Sequence, residues 1–427
     1  MQGRANAVVL LMVLLAGCTS QVQPPQAGFA APQVIQRNHA PVNWVQFKPT
    51  TTGRDYQGIA NGPDGNLWFT DYSGSGLVRI TMSGSAKEFP LPSGAAPYMV
   101  TAGADNNLYV TDVPFDRILQ VSQAGIVKSF PIPSGDFPEG GMTKAPDGNV
   151  WFVESKHIAK VTPAGVITEF AYPSGAVNQA NGGATVGPDK KVWFAESGAG
   201  IIGKIDTTTN AITEYTTTTS PVGSCYITGI ITAKDHNLYF TCTANQNSST
   251  GYLGKISTSG SQIYYADPYG FSLYPQDLAV GSDGGVWFDG DQFTQTLICD
   301  FDISTHGITT HSFPDFSYQA NVIVAARDGN VWGVDSSPPS VDVYVIDVLD
   351  VTPNSLTFPM VGQQQTLTVT ENGAGSWTAR SSKTSVATVA PGGSGNTFVV
   401  TSVAAGSAKI TIKDPKGNLF PVSVVVQ

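Results

Sequence analysis

Seven residues carry side chains suited to ligand binding at places where the rest of the sequence is periodic: Gln57, Tyr98, Glu139, Asn181, Gln276, Asp277 and Asn321. Carboxylate and amide oxygens are hard donors, so a convergence of these groups would suit Mg2+ or Ca2+. It would equally suit a cationic or hydroxyl-rich ligand. A second set of acids recurs more regularly: Asp71, Asp112, Glu154, Glu196, Asp289 and Asp335. Regular recurrence points to architecture, with each carboxylate expected to accept backbone amides of a neighbouring repeat. The five histidines, His39, His157, His236, His306 and His311, lie away from the first set. Histidine is the usual general base near neutral pH. The sequence contains no Cys-x-x-Cys, His-Glu-x-x-His, Gly-x-Ser-x-Gly or phosphate-loop pattern.

The elements that must position these residues come from a repeat. GIANGPDGNLWFTD (58–71), MVTAGADNNLYVTD (99–112), GMTKAPDGNVWFVE (141–154) and GATVGPDKKVWFAE (183–196) share one pattern, continued at 229–242, 277–290 and 322–335. An apolar run, an Asp-Gly-like turn, an aromatic run and an acid follow in order. The turn acids Asp64, Asp105, Asp147, Asp189, Asp235, Asp283 and Asp328 are 41 to 48 residues apart. Asp-Gly between two strand-like runs is a strong hairpin signal, with Asp and Gly both expected to take the positive φ of the turn. Two further strand-like runs follow each hairpin, giving strands A to D in each repeat. A period of 40–50 residues with strand chemistry is the signature of a β-propeller, one blade per repeat.

The seventh repeat lacks a fourth strand after Val341–Ile346. The run Val42-Asn43-Trp44-Val45-Gln46-Phe47-Lys48-Pro49 has the fourth-strand pattern. Residues 43–49 are therefore expected to complete blade seven and close the ring, which removes an exposed edge. Paired aromatics such as Trp68-Phe69, Trp151-Phe152 and Trp193-Phe194 read as core between blades. In such a ring the D–A and B–C connections gather at one channel mouth. All seven candidate binding residues stand just before strand A, at that mouth.

The PDGNLWFTE-like repeats over about residues 43–348 resemble the virginiamycin B lyase (streptogramin lyase) family. The resemblance implies a seven-bladed propeller and a linearising C–O lyase that uses Mg2+ and a histidine base on the upper channel. No histidine of this sequence stands at a strand-A start, so no catalytic residue carries over. A lactonase-like enzyme is a further alternative.

The remaining sequence frames this unit. Ala7–Leu15 is a nine-residue apolar run behind Arg4, too short to span a bilayer at roughly 20 residues. It ends in Leu15-Ala16-Gly17-Cys18, which resembles a bacterial lipobox and implies acylation at Cys18, with residues 1–18 as signal peptide. Thr19 after the cysteine is similar to lipoproteins sent to the outer membrane. Residues 19–42, rich in Pro, Gln and Ala, read as an extended tether. Residues 349–427 alternate like a β-sandwich and resemble a group 2 bacterial immunoglobulin-like domain, through Trp377, Ser385–Val389 and Gly406–Thr411. The fold class is thus all-β: a seven-bladed propeller followed by an Ig-like sandwich. The expected setting is the cell envelope, anchored to membrane by lipid, with a small-molecule, glycan or protein ligand. A net charge of −10 excludes the basic stripe a nucleic-acid partner needs. Low charge (13%) with 46 Gly and 28 Pro fits short strands and tight turns and excludes a helical bundle or coiled coil. Cys225 and Cys242 flank the hairpin of repeat five. A disulfide between them requires the loop before strand A to fold back, because the hairpin register sets Cys242 opposite about Gly229. Cys299 is left as a buried thiol.

Overall fold

Each repeat folds as one antiparallel sheet, because short strand-forming runs separated by tight turns pair with their sequence neighbours, and near-continuous apolar runs such as Leu67–Asp71 are buried on both faces. In the computed structural model the described residues are 44–47, 55–82, 84–177, 182–244, 251–266, 277–281, 284–292, 295–312, 320–327, 330–335, 343–346, 350–353, 355–370, 377–413 and 419–427. Seven four-stranded sheets follow the repeats, and no α-helix occurs among the described residues. Blade three shows the plan: Met142–Lys144, Val150–Val153, His157–Val161 and Ile167–Ala171 pair in chain order. The A strands contact one another around the ring, the seventh also touching the first.

Blade seven is closed as expected. Ala320–Ala325, Val331–Asp335 and Val343–Ile346 supply three strands, and Trp44–Phe47 supplies the fourth. The register runs from Trp44 opposite Ile346 to Phe47 opposite Val343. The two ends of the propeller segment therefore meet in one sheet.

The aromatic pairs explain how the blades adhere. Successive residues of a strand face opposite sides, so the two members of each pair address different neighbours. Trp68 packs with Leu108 and Val110 of blade two, while Phe69 packs with Trp332 of blade seven. Trp151 and Phe194 share the interface of blades three and four, and Trp193 and Phe240 that of four and five. Tyr109 meets Phe152, Tyr239 meets Phe288, and Trp287 meets Val331, which accounts for the other three interfaces. Hydrophobic burial on seven radial seams holds the ring.

The A–B turns differ from expectation in one respect. Positive φ falls on the residue after the aspartate, at Gly65, Asn106, Gly148, Lys190, His236 and Gly284, and not on the aspartates described. The aspartate instead organises the hairpin with its side chain. Asp64 accepts the Asn66 N–H (3.2 Å) and the Trp68 indole N–H (2.9 Å). Asp189 accepts from Trp193 (2.9 Å), while Asp105 and Asp235 accept from the Tyr109 and Tyr239 hydroxyls (3.0 Å each). The turn acid and the aromatic four residues on are therefore one unit: the acid satisfies the only polar atom of a buried ring.

Beyond Asp350 two further four-stranded sheets face each other. Asp350–Thr352, Gln364–Thr370, Thr397–Ser402 and Ala387–Pro391 belong to one; Ser355–Phe358, Leu419–Val426, Gly406–Lys413 and Thr378–Ser381 belong to the other. Phe358, Leu367, Phe398, Val400 and Ile410 fill the space between them, with Trp377 packed at the side.

Candidate functional site

Strand A is the innermost strand of each blade and sets the channel. In blades one, two and five its start is irregular, and a threonine from strand B repairs it. The Thr70 hydroxyl accepts the Gly58 N–H (2.9 Å) and donates to the Tyr98 carbonyl (2.8 Å). Thr111 accepts the Met99 N–H (2.8 Å), and Thr241 accepts those of Thr228 and Gly229 (2.9 Å each). Neighbouring A strands come so close that a Cβ on Gly58 would lie 2.7 Å from the Tyr98 carbonyl oxygen, and one on Gly141 2.7 Å from the Ala184 nitrogen. Only glycine fits there.

The A strands of all seven blades enclose a cavity of about 400 Å³. Gln57, Tyr98, Thr228 and Asp277 line it. Glu139 does not line it, but its carboxylate is near enough to act on Tyr98. Burial and then Glu139, Tyr226, Asp55 and Tyr72 push the Tyr98 hydroxyl up to about 12. Tyr72, Tyr226, Asp55 and Glu139, from blades one, five and three, thus lie within electrostatic reach of Tyr98 of blade two. Tyr72 and Tyr98 meet edge to face at 6.4 Å, and Gln57 donates to Asp55 at 2.6 Å. Burial raises the carboxyls of Asp55 and Glu139 above their ordinary range. The arrangement offers aromatic faces and hydrogen-bond acceptors over a half-open cavity.

Of the seven candidates, then, Gln57, Tyr98 and Asp277 face the cavity and Glu139 borders it electrostatically. Asn181 and Gln276 lie outside the described residues, and the side chain of Asn321, in strand Ala320–Ala325, does too. Asp277 also fastens blade six to blade seven, because its Oδ2 accepts the Ile323 N–H (3.0 Å). Burial, partly offset by the Leu278 and Ile323 amides, pushes it up to about 6. Among the described residues no three acids or histidines converge at the mouth.

Tyr72, Tyr226 and Asp55 are not singled out by the sequence. Tyr72 follows a recurring acid and breaks the repeat, which is a usable signal. Tyr226 depends on a disulfide. Cys225 and Cys242 are bonded, Cα to Cα 4.8 Å, so the loop before strand A does fold back. Tyr226 and Thr243 exchange backbone hydrogen bonds (2.7 and 3.1 Å), which fixes the backbone at Tyr226 within electrostatic reach of Tyr98. Cys299 is a buried thiol outside any disulfide, as expected.

Of the recurring acids Asp71, Asp112, Glu154 and Glu196 are buried, while the side chains of Asp289 and Asp335 lie outside the described residues; the amides that Asp71 and Asp112 accept belong to their own blade, not to a neighbour's. Asp71 accepts the Gly74 N–H (2.8 Å), and Asp112 accepts the Ala96 N–H (2.9 Å) and Arg117 Nε (2.6 Å). The B–C connection turns back over the strand end, bringing local donors nearer than the next blade. Glu196 receives only the Ser174 hydroxyl (2.9 Å), and its Oε1 has no partner. Burial, and then the Glu214 carboxyl, raise Glu196 well above its ordinary range. A carboxyl raised on folding is protonated in the fold and ionised in the unfolded chain. Its stabilising contribution is complete below about pH 4.5 and is lost as pH rises through the folded value. Denaturant unfolding at pH 5 and pH 8 should show Glu196→Gln gaining on wild type by roughly 1–3 kcal/mol between the two. An equal difference at both pH values would contradict the raised carboxyl.

Four histidines stand as placed from sequence: His157 opens strand C of blade three, His236 lies in an A–B turn, and His306 and His311 belong to the outer half of blade six, while His39 lies outside the described residues. No histidine lines the cavity among the described residues.

This architecture has known counterparts. A family model described as the virginiamycin B lyase family matches residues 31–219 and 175–339. A streptogramin B lyase structure is similar at TM-score 0.62 and 22% identity, over 71% of this chain and 98% of that one. A catalytically inactive histidine-to-alanine variant of virginiamycin B lyase from Staphylococcus aureus, with quinupristin, is similar at TM-score 0.61 and 22% identity, over 71% and 99%. The extracellular domain of a hybrid two-component system from B. thetaiotaomicron is similar at TM-score 0.54 and 10% identity, over 92% of this chain and 60% of that one. No curated protein matches the sequence. With the family model spanning residues 31–339 and a closed ring of seven such blades, the chain belongs to the virginiamycin B lyase family.

Proposed function

We propose that the protein is a lipid-anchored, extracytoplasmic propeller that binds a ligand at its channel mouth, held off the membrane by the segment before residue 43, with the C-terminal Ig-like sandwich as spacer. The observation that supports this most is the cluster of Tyr72, Tyr98, Tyr226, Asp55 and Glu139 beside the central cavity. Tyrosine faces stack on sugar rings and aromatic groups. Neighbouring carboxylates accept hydroxyl and ammonium protons. The fitting ligand therefore carries a ring face together with hydroxyl or cationic groups. Cys18 is the proposed acylation site.

Binding of glycan and peptide libraries to the full chain tests the reading. Once a ligand is found, Tyr98→Ala and Glu139→Gln should each weaken it at least 10-fold, about 1.4 kcal/mol. Binding that survives both substitutions would place the site elsewhere.

Family membership supports a second reading, a C–O lyase acting on streptogramins. In that case a carboxylate at the mouth, Glu139 or Asp277, takes the place of the histidine base. Asp277, pushed up to about 6, is suited by affinity to accept a proton near neutral pH. Incubation with virginiamycin B and Mg2+, followed by mass spectrometry, decides it: an unchanged substrate eliminates the lyase reading.

A further inference from the structure

Outside the residues that line the cavity, the third blade carries a group of side chains that its sister blades lack. Asp136 stands in the connection from blade two into blade three, Glu154 follows strand B, and His157 opens strand C. One ligand atom from each lies within 4.8 Å of the others. His157 Nδ1 is 2.7 Å from Asp136 Oδ2 and 3.6 Å from Glu154 Oε2. Ligand atoms around a tetrahedral ion at about 2.0–2.2 Å sit about 3.4 Å apart, so these separations need only small adjustment.

Glu154 is the decisive member. It is 1% exposed, and neither carboxylate oxygen accepts a hydrogen bond from an amide or hydroxyl donor; its neighbours include the Glu169 carboxyl and His157 Nδ1 at 3.6 Å. Its counterparts Asp71 and Asp112 are satisfied by amides and an arginine. A buried carboxylate without partners is costly unless a cation or proton compensates it. The surroundings add negative charge. Glu169 and Asp136 act electrostatically on Glu154, and Asp136 acts on Asp116, whose Oδ1 is also buried without a partner. Against four carboxyls stand His157 and Lys156, whose Nζ is 3.6 Å from Asp136 Oδ1 and whose side chain is 59% exposed.

The repeat shows that the group is assembled in this blade. The connection Pro133-Ser134-Gly135-Asp136 corresponds to Pro173-Ser174-Gly175-Ala176 in the next blade and Pro92-Ser93-Gly94-Ala95 in the one before. At the first residue of strand C, His157 corresponds to Ile201 and Arg117. Asp136 and His157 both replace non-ligands in the same blade, and both reach the same buried glutamate.

We propose that Asp136, Glu154 and His157 bind a divalent first-row transition-metal ion at the B–C end of blade three, tying the connection into that blade to its B–C turn. One imidazole and two carboxylates suit Zn2+ or Mn2+ better than a cage made only of oxygens would. Three protein ligands leave a fourth position to water, and His157, 21% exposed, keeps it reachable.

The test is calorimetric titration of Zn2+ into the tag-free full chain, with X-ray absorption to read the donors. One saturating site per chain is expected. Asp136→Asn, Glu154→Gln and His157→Gln should each lower its affinity at least about 100-fold, as loss of a ligand demands. Glu196→Gln, at the sister acid, should leave it unchanged. If Glu154→Gln does not fold by circular dichroism, His157→Gln at its partly exposed position decides alone. Absence of saturable binding, or binding indifferent to these ligands, overturns the proposal. So does a Glu154→Gln chain that gains stability with Zn2+ affinity unchanged, since Glu154 would then only share a proton with Glu169.

Discussion

Replacing Trp193 by alanine should lower the unfolding free energy by about 3–5 kcal/mol, the usual cost of truncating a fully buried aromatic. The ring is 0% exposed and packs against Ile230, Leu238 and Phe240 of the next blade. It stacks on Tyr215 at 5.7 Å with 9° between planes, and Lys204 Nζ lies 4.9 Å over it. Its N–H is the partner of the turn acid Asp189. Truncation therefore opens a cavity on a seam between blades and releases the hairpin cap at once. Trp193→Phe separates the two effects. It keeps most of the apolar contact and should cost only about 1–2 kcal/mol, mainly the lost hydrogen bond. Equal losses for the two variants in urea unfolding would mean that the hydrogen bond, not the seam, holds the blades together.

Deleting residues 44–47 should lower stability by roughly 1–4 kcal/mol, taking about 0.2–1 kcal/mol for each of the four registered pairs. It should also leave the strand Val343–Ile346 with an open edge, which invites association between chains. The expected signs are an earlier unfolding midpoint, faster proteolysis of blade seven and a larger species in light scattering. Here blade seven is completed by backbone pairing between two segments far apart in the chain, whereas the other blades pair strands that follow one another in sequence. An unchanged midpoint and proteolysis pattern would show that the blade seven to blade one seam, with Phe69 and Trp332, closes the ring without the strand.

Both effects rest on features that are partly visible in the sequence. Trp193 and its turn acid are visible as a repeated pair, though the hydrogen bond between them is not. Composition suggests Asp and Gly as residues of positive φ; the fold uses the aspartate for its carboxylate and leaves the backbone demand to the following residue. The closing strand is legible because a fourth-strand pattern is missing at one end and present at the other.

The site is less legible. Gln57, Tyr98 and Asp277 stand where the repeat places them, at the inner ends of strands. Tyr226 does not follow from the repeat, because its position depends on the bond between Cys225 and Cys242. Glu154 looks like one more periodic acid. Only its surroundings distinguish it from Asp112: Arg117 in one blade, Asp136 and His157 in the other.

By itself the sequence determined the all-β class, the seven blades, their strand order and the closing strand. These follow from alternation along a strand and from a period of about one blade, which are local rules repeated along the chain. Only the tertiary structure decided which tyrosines and carboxyls share the mouth, that the two cysteines meet, and that one buried glutamate has an aspartate and a histidine beside it. Those facts depend on connections between strands, whose paths no period describes, and on distances between residues of different blades, which the closure of the ring sets.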